Sequence, residues 1–353
     1  MKILVIQQKM IGDVLASTVI GEALRNRYPE ATIHFLINSN TIPVVVGNPF
    51  FDEIIEFKKE YREQKVKFYN FLKTIRSTRY TLVIDVINKL ESNLISWYTG
   101  APKRIAFYKW YTRFFYTETI ERRDHSISNA SAAIENRLRL VYASDQEVQQ
   151  NLVLPKIFLS EAEKNTAKTY LEKSGVDLNR PLLMISVLGS MSSKTYPTSY
   201  MATTLDFIID QTQAQLLFNY LPHQKADAET IYKRTQATTR AHINFKVFGQ
   251  SLREFLAILH FCDMLIGNEG GAVNMAKALD KPTFTIFSPW IKKEEWNMFE
   301  DGEKHDSAHL LDYHPELYGI KRPKEYKERA EEFYQYFKPD LFKDSLRRFL
   351  LNN

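Results

Sequence analysis

Three short segments carry residue types suited to chemistry on a hydroxyl group and an anion. The first is Gln7-Gln8-Lys9-Met10-Ile11-Gly12-Asp13-Val14-Leu15, which follows a short β-branched run and leads into a helix-period pattern. No G-x-G-x-x-G fingerprint follows that run. Instead the single Gly12 permits a tight turn, and Asp13 stands at the start of the helix. Its carboxylate can cap that helix on free backbone N–H groups. Equally, it can lie at a cleft mouth and accept a proton from a hydroxyl nucleophile. The second segment is Leu188-Gly189-Ser190-Met191-Ser192-Ser193-Lys194-Thr195-Tyr196-Pro197. Hydroxyls of Ser192 and Ser193 and backbone N–H groups suit phosphate oxygens, and Lys194 supplies a point charge. The Walker order is absent, and an ordinary polar loop accounts for the same residues. In the third segment, Gly267-Asn268-Glu269-Gly270-Gly271-Ala272-Val273-Asn274-Met275, a Gly-Gly pair opens a helix whose N-terminus favours an anion. Glu269 precedes that helix and Asn274 lies about one turn into it. A plain turn explains the glycines but not the polar residues on both sides.

Metal chemistry finds little support. There is no H-E-x-x-H and no acidic D-x-D in the middle of the chain, so no metal is expected. Lys194 and the helix start at Gly270-Gly271 are the groups expected to neutralise a diphosphate. No G-x-S-x-G elbow points to a hydrolase.

The elements that must position these segments alternate between strand and helix. Strands are expected over Lys2–Ile6, Thr32–Ile37, Glu53–Phe57 and Tyr80–Asp85, with helices over Val14–Arg27, Tyr61–Arg76 and Ser126–Val141. After Asn151–Pro155 the pattern restarts with a helix opened by Ser160 and Glu163, a capping-box spacing. Strands Leu182–Val187, Gln215–Asn219, Asn244–Phe248, Met264–Ile266 and Thr283–Phe287 then alternate with helices, and a helical end runs from Lys324 to Leu351. An α/β fold of two doubly wound, Rossmann-like domains follows, residues 1–155 and 156–353, facing each other across a cleft. The length of 353 residues suits two domains.

Composition narrows the setting. Apolar residues make up 44% and charged residues 25%, as in a folded globular protein. No signal peptide and no membrane-length apolar run is legible, so the cytoplasm is the expected compartment. The lone Cys262 lies in an apolar stretch and reads as a small buried hydrophobe. The net charge of +5 is unevenly placed. Cations interleave with aromatics in Lys58–Tyr80 and in Lys103–Arg123, where solvated helix faces, anionic lipid headgroups, phosphorylated glycans and nucleic acid are all readings. The aromatic spacing is too irregular for an RNA-binding motif, so nucleic acid is not an expected partner.

Taken in order, the three segments resemble glycosyltransferase family 9, the ADP-heptose–lipopolysaccharide heptosyltransferases. Gly12-Asp13-Val14-Leu15 is similar to the family's G-D-V/I-L element, Lys194 with Tyr196-Pro197 to its K-x-W-P loop, and Gly249–Pro289 to the stretch holding D-[ST]-G-x-x-H. The resemblance implies a GT-B fold and an inverting, metal-independent transfer of heptose or a related sugar from a nucleotide diphosphate donor, ADP-linked first of all, to a lipopolysaccharide or other cell-surface glycan. Asp13 would be the general base. Ser192, Ser193, Lys194, Gln224, Glu269, Gly270, Gly271 and Asn274 would face the donor, with Gln224 at the ribose. Lys103, Arg104, Lys109 and Arg113 would hold an anionic, lipid-linked acceptor, with peripheral membrane contact at the inner face of the cytoplasmic membrane. The terminal helix is expected either within the second domain or packed back on the first. The chain departs from the family where Glu269 replaces aspartate, Gly270 replaces serine or threonine, Asn274 replaces histidine, and Leu221-Pro222-His223-Gln224 replaces a glycine-rich turn and a glutamate near the ribose. The altered Glu269 and Asn274 keep open a non-catalytic nucleotide- or carbohydrate-binding protein of the same fold, and the shared two-domain plan keeps open a nucleotide-sugar epimerase.

Overall fold

A computed structural model of the chain describes residues 1–319 and 323–353. It divides into two compact units, Met1–Phe158 and Leu159–Asn353. In the first, strands β1 (Lys2–Gln7), β2 (Thr32–Asn38), β3 (Glu53–Phe57), β4 (Leu82–Asp85), β5 (Lys103–Phe107) and β6 (Glu118–Ile120) form one sheet in the order β3-β2-β1-β4-β5-β6. Every pair is parallel. Ile3 to Ile6 and Leu82 to Ile84 are buried on both faces, which is why these strands read as unbroken apolar runs. The second unit repeats the plan with β7 (Leu182–Ser186), β8 (Gln215–Asn219), β9 (Met264–Asn268), β10 (Thr283–Ile286) and β11 (His305–Ala308), ordered β11-β10-β9-β7-β8 and again parallel.

Strand order decides where ligands can sit. In each sheet the chain winds outward in both directions from one pair of neighbouring strands, and the crevice beyond their carboxyl ends is the usual binding place. Those pairs are β1–β4 and β7–β9. Asp13 lies beyond β1, while the Lys194 loop and the Glu269-Gly270-Gly271 turn lie beyond β7 and β9. β9 can run this close to β7 because position 267 is glycine. Its φ is +131°, and a Cβ there would fall 2.4 Å from the Ser186 carbonyl oxygen.

Several expectations are corrected. Asn244–Phe248 is not a strand: a single bridge joins Ile243 to Leu216, and Phe245 and Phe248 instead stack on Tyr220. The basic stretch Lys103–Arg123 supplies two strands, β5 and β6, and β11 (His-Asp-Ser-Ala) was likewise not anticipated. The helical end is broken, with helices Ala330–Tyr336 and Lys343–Asn352 separated by a 3₁₀ turn at Pro339–Leu341. Leu346, Phe349 and Leu350 of the last helix join the core of the second unit, beside Phe284 and Tyr196. Cys262 is buried, and burial pushes its thiol well above the ordinary range.

Candidate active site

In the first unit the chemistry gathers around α1 (Ile11–Arg27). Asp13 does not cap this helix, which begins two residues earlier than the expected cap position and has Met10 as a cap without a side-chain bond. Its carboxylate instead meets Arg137, whose Nη2 lies 3.2 Å from Asp13 Oδ1. Arg137 comes from the helix Ala132–Arg139 and is fully buried. Its guanidinium also donates to Ser17 Oγ at 2.8 Å, to the Ala133 carbonyl at 2.7 Å and to the Asp13 carbonyl at 3.3 Å. Burial draws the guanidinium down to about 10, with the neighbouring carboxylate opposing that shift, so it stays charged near neutrality. The ion pair thus fixes Oδ1. Asp13 Oδ2 takes no hydrogen bond among the described residues. Gln7 donates to Ser17 Oγ at 3.2 Å, and Gln7 Oε1, Gln8 Nε2 and Ser131 Oγ are buried without partners. Buried polar groups without partners are costly, and a polar ligand would satisfy them.

The four basic residues expected at the acceptor have different surroundings. Lys103 pairs with Glu118 at 3.0 Å, and Arg113 is exposed. Arg104 fastens the chain, with Nη1 2.5 Å from the Ala101 carbonyl and Nε 2.9 Å from that of Phe115. Lys109 donates to the Asn88 carbonyl at 2.5 Å. Burial is the largest influence lowering its proton affinity. Asp85 opposes the shift, and Arg122, Lys89 and Lys9 reinforce it.

In the second unit the Lys194 loop is a built structure. A Cβ on Gly189 would fall 2.2 Å from the Lys194 carbonyl oxygen, so only glycine lets the loop close. Ser288 Oγ and Trp290 Nε1 both donate to the Ser193 carbonyl, at 2.6 and 2.9 Å. The Asn268 side chain accepts from Tyr196 N–H at 2.6 Å and donates to the Ser186 carbonyl at 2.9 Å. Held this way, Lys194 Nζ stands 3.0 Å from Glu269 Oε1. That oxygen is buried and has no hydrogen-bond partner of acceptable geometry, so charge alone joins the two. The ammonium also lies 5.4 Å from the centre of the Trp290 ring, which Lys327 approaches to 5.2 Å.

Gly270, at φ +154°, leads into the helix Gly271–Ala278, and a Cβ there would meet open space. Ser192, Ser193, Lys194, Glu269, Gly270 and Gly271 therefore belong to two neighbouring loops of one sheet. Asn274 is half-buried one turn further on. Gln224 braces the glycine turn, donating to the Gly189 carbonyl at 2.7 Å and accepting from Leu221 N–H at 2.9 Å. Arg137, Trp290, Lys327 and Asn268 were not singled out from the sequence, because each reaches its partner only across the fold. His305 opens β11 and His309 follows it, and they bond separately to Thr283 and the Ile291 carbonyl. Among the described residues no three His, Cys, Asp or Glu side chains come together as a metal site. No helix among them is long and apolar enough to cross a membrane.

Comparison with known proteins agrees with the two-sheet fold. Over 296 residues the chain is 22% identical to lipopolysaccharide heptosyltransferase 2 of Escherichia coli K12, covering 82% of this chain and 83% of that one. A family 9 glycosyltransferase structure from Veillonella parvula superposes with a TM-score of 0.83 at 17% identity, over 100% and 98% of the two chains. An Escherichia coli heptosyltransferase solved with ADP-2-deoxy-2-fluoro heptose gives 0.63 at 13% identity, over 87% of this chain and 93% of that one. At these identities the structural likenesses speak for fold alone. The model of glycosyltransferase family 9 (heptosyltransferase) matches residues 68–299, more than half of the sequence, and the chain belongs to that family of glycosyltransferases.

Proposed function

We propose that the chain carries out a metal-independent, inverting transfer of heptose or a related sugar. The donor would be an ADP-linked sugar, and the acceptor a lipid-borne lipopolysaccharide core or similar surface glycan at the cytoplasmic face of the membrane. Asp13 takes the proton of an acceptor hydroxyl as that oxygen bonds to the anomeric carbon. The bond from that carbon to the diphosphate breaks, and its electron pair leaves on the diphosphate oxygen. Lys194 and the N–H groups at the start of Gly271–Ala278 stabilise the departing charge, with Lys327 as a further cation. One well-placed donor of this kind contributes roughly 3 kcal/mol.

The observation that carries this reading is the clamped loop holding Lys194 beside Glu269-Gly270-Gly271, a fixed cation next to unfilled helix N–H groups. A nucleotide diphosphate matches that chemistry. The relatives' lipopolysaccharide heptosyltransferase names and the ADP-sugar held by one of them favour the ADP-heptose class. A binding-only reading draws on Glu269, which compensates the Lys194 charge. It predicts nucleotide binding without sugar transfer.

Titration calorimetry with ADP, UDP, GDP and CDP in the presence of a chelator tests the donor site. ADP is expected to bind tightest and to weaken about ten- to a hundredfold in Lys194→Ala. Absence of binding by all four nucleotides overturns the transferase reading.

A further inference from the structure

One loop of the first unit holds four large aromatics out to solvent. Between β5 and β6, Trp110 and Phe114 are 76% and 71% exposed, Tyr111 55% and Tyr108 44%. The loop itself is well fastened. The Thr112 and Arg113 N–H groups each bond to the Lys109 carbonyl at 3.1 Å, and Tyr116 N–H bonds to the Arg113 carbonyl at the same distance. The Tyr116 hydroxyl lies 2.6 Å from both Asp85 Oδ2 and Asn93 Oδ1, and the Arg104 guanidinium ties the Phe115 carbonyl. Thr112 and Tyr116 are buried. The residues turned inward are thus the hydrogen-bonded ones, while the rings a core would ordinarily take face water. Trp110 contacts Tyr111 edge-on, and Phe114 and Phe115 pack at 4.3 Å. A held-out aromatic cluster of this kind marks an interaction surface.

The charge around it identifies the partner. Lys109 feels Lys9, Lys89 and Arg122, which follow β1, β4 and β6, so four strand ends contribute cations to one region. Lys9, Lys89, Arg113 and Arg122 are all exposed. The apolar Met10 and Leu90, next in sequence to two of these lysines, are 73% and 69% exposed. A second copy of the chain would bring the same cations face to face. Tryptophan and tyrosine prefer the headgroup level of a bilayer, and flanking Lys and Arg are drawn to anionic lipid.

We propose that the loop between β5 and β6 is an interfacial anchor that inserts Trp110 and Phe114 among the headgroups of an anionic bilayer, with Lys9, Lys89, Arg113 and Arg122 on lipid phosphates. This deepens the transferase reading and rests on its lipid-borne acceptor. Anchoring holds unit 1, which carries Asp13, at the surface where such an acceptor resides.

The test is co-sedimentation of the full chain with phosphatidylcholine vesicles, with and without phosphatidylglycerol, for the wild type and for Trp110→Ser combined with Phe114→Ser. Circular dichroism melting checks that the variant is folded. The wild type is expected to bind the anionic vesicles at least tenfold better than the neutral ones. The double variant is expected to lose at least tenfold in binding while keeping its melting temperature. Vesicle-induced blue shift of tryptophan emission should disappear in Trp110→Phe. Equal vesicle binding by the two proteins overturns the proposal. So does a wild type that ignores vesicles but dimerises through this loop, seen as a dimer that becomes monomeric in the double variant. Calorimetry with ADP on the same two proteins reports the donor site separately. Loss of vesicle binding in the variant supports the anchor even if ADP binds neither protein.

Discussion

The two ion pairs at the strand crossovers are built in opposite ways. Arg137 is buried and gives its guanidinium to four acceptors, of which the Asp13 carboxylate is one. Lys194 is partly exposed and meets Glu269 without a hydrogen bond. A buried charge held by four hydrogen bonds resists rearrangement, because leaving any of them unmade is expensive. An ion pair joined by charge alone has no hydrogen-bond geometry holding it in one arrangement. The first arrangement suits a base that must stay in one place, and the second suits a cation that must turn to an arriving phosphate.

Substitutions can break or sharpen that contrast. The largest effect is expected from Asp13→Asn, which removes the proton acceptor. Turnover should fall roughly a hundred- to ten-thousandfold in protein that a melting curve shows to be folded, with ADP affinity little changed. A variant that transfers sugar normally would remove Asp13 from the chemistry. Next, Arg137→Met withdraws the buried partner of Asp13 and should cost on the order of 3 kcal/mol of stability, read in a urea titration. Lys194→Ala should cost less in that titration than Arg137→Met and weaken ADP by about 1.5–3 kcal/mol. If it destabilised the fold as much as Arg137→Met, the two pairs would not differ in kind. The smallest effect belongs to Glu269→Gln. Freeing Lys194 from its carboxylate should tighten ADP by less than about 1 kcal/mol, and weaker binding would instead make Glu269 a ligand contact.

Much of the frame was legible because β1 after Lys2, and β4, β7 and β9 throughout, are short, buried parallel strands, and burial on both faces leaves an apolar run in the sequence. β11 left no such trace, since His305, Asp306 and Ser307 are polar and β11 forms an edge of its sheet. Asn244–Phe248 misled for the converse reason: its apolar residues serve an aromatic cluster beside Tyr220, not a ladder. The loops bearing Asp13, Lys194 and Gly270-Gly271 could be picked out because their glycines and polar residues sit where strands end. Their supports could not. Arg137 meets Asp13 across 124 residues of sequence, and Trp290 meets Ser193 across 97. Within the pattern Ile134–Leu140, Arg137 looks like any solvated helix residue, and only the packed fold turns it inward.

Tyr196 joins the donor loop to the end of the chain. Its backbone N–H is held by Asn268, and its ring, with no exposed surface, sits among Tyr334, Phe337 and Phe342 while its hydroxyl donates to the Phe337 carbonyl at 2.7 Å. The residue two places from Lys194 is thereby seated on a segment that lies about 140 residues further along. Loop and tail must then be inherited together. In a chimera between two members of the family, a junction placed between them would pair a lysine loop with a foreign seat, whereas a junction near residue 158 would carry both across intact.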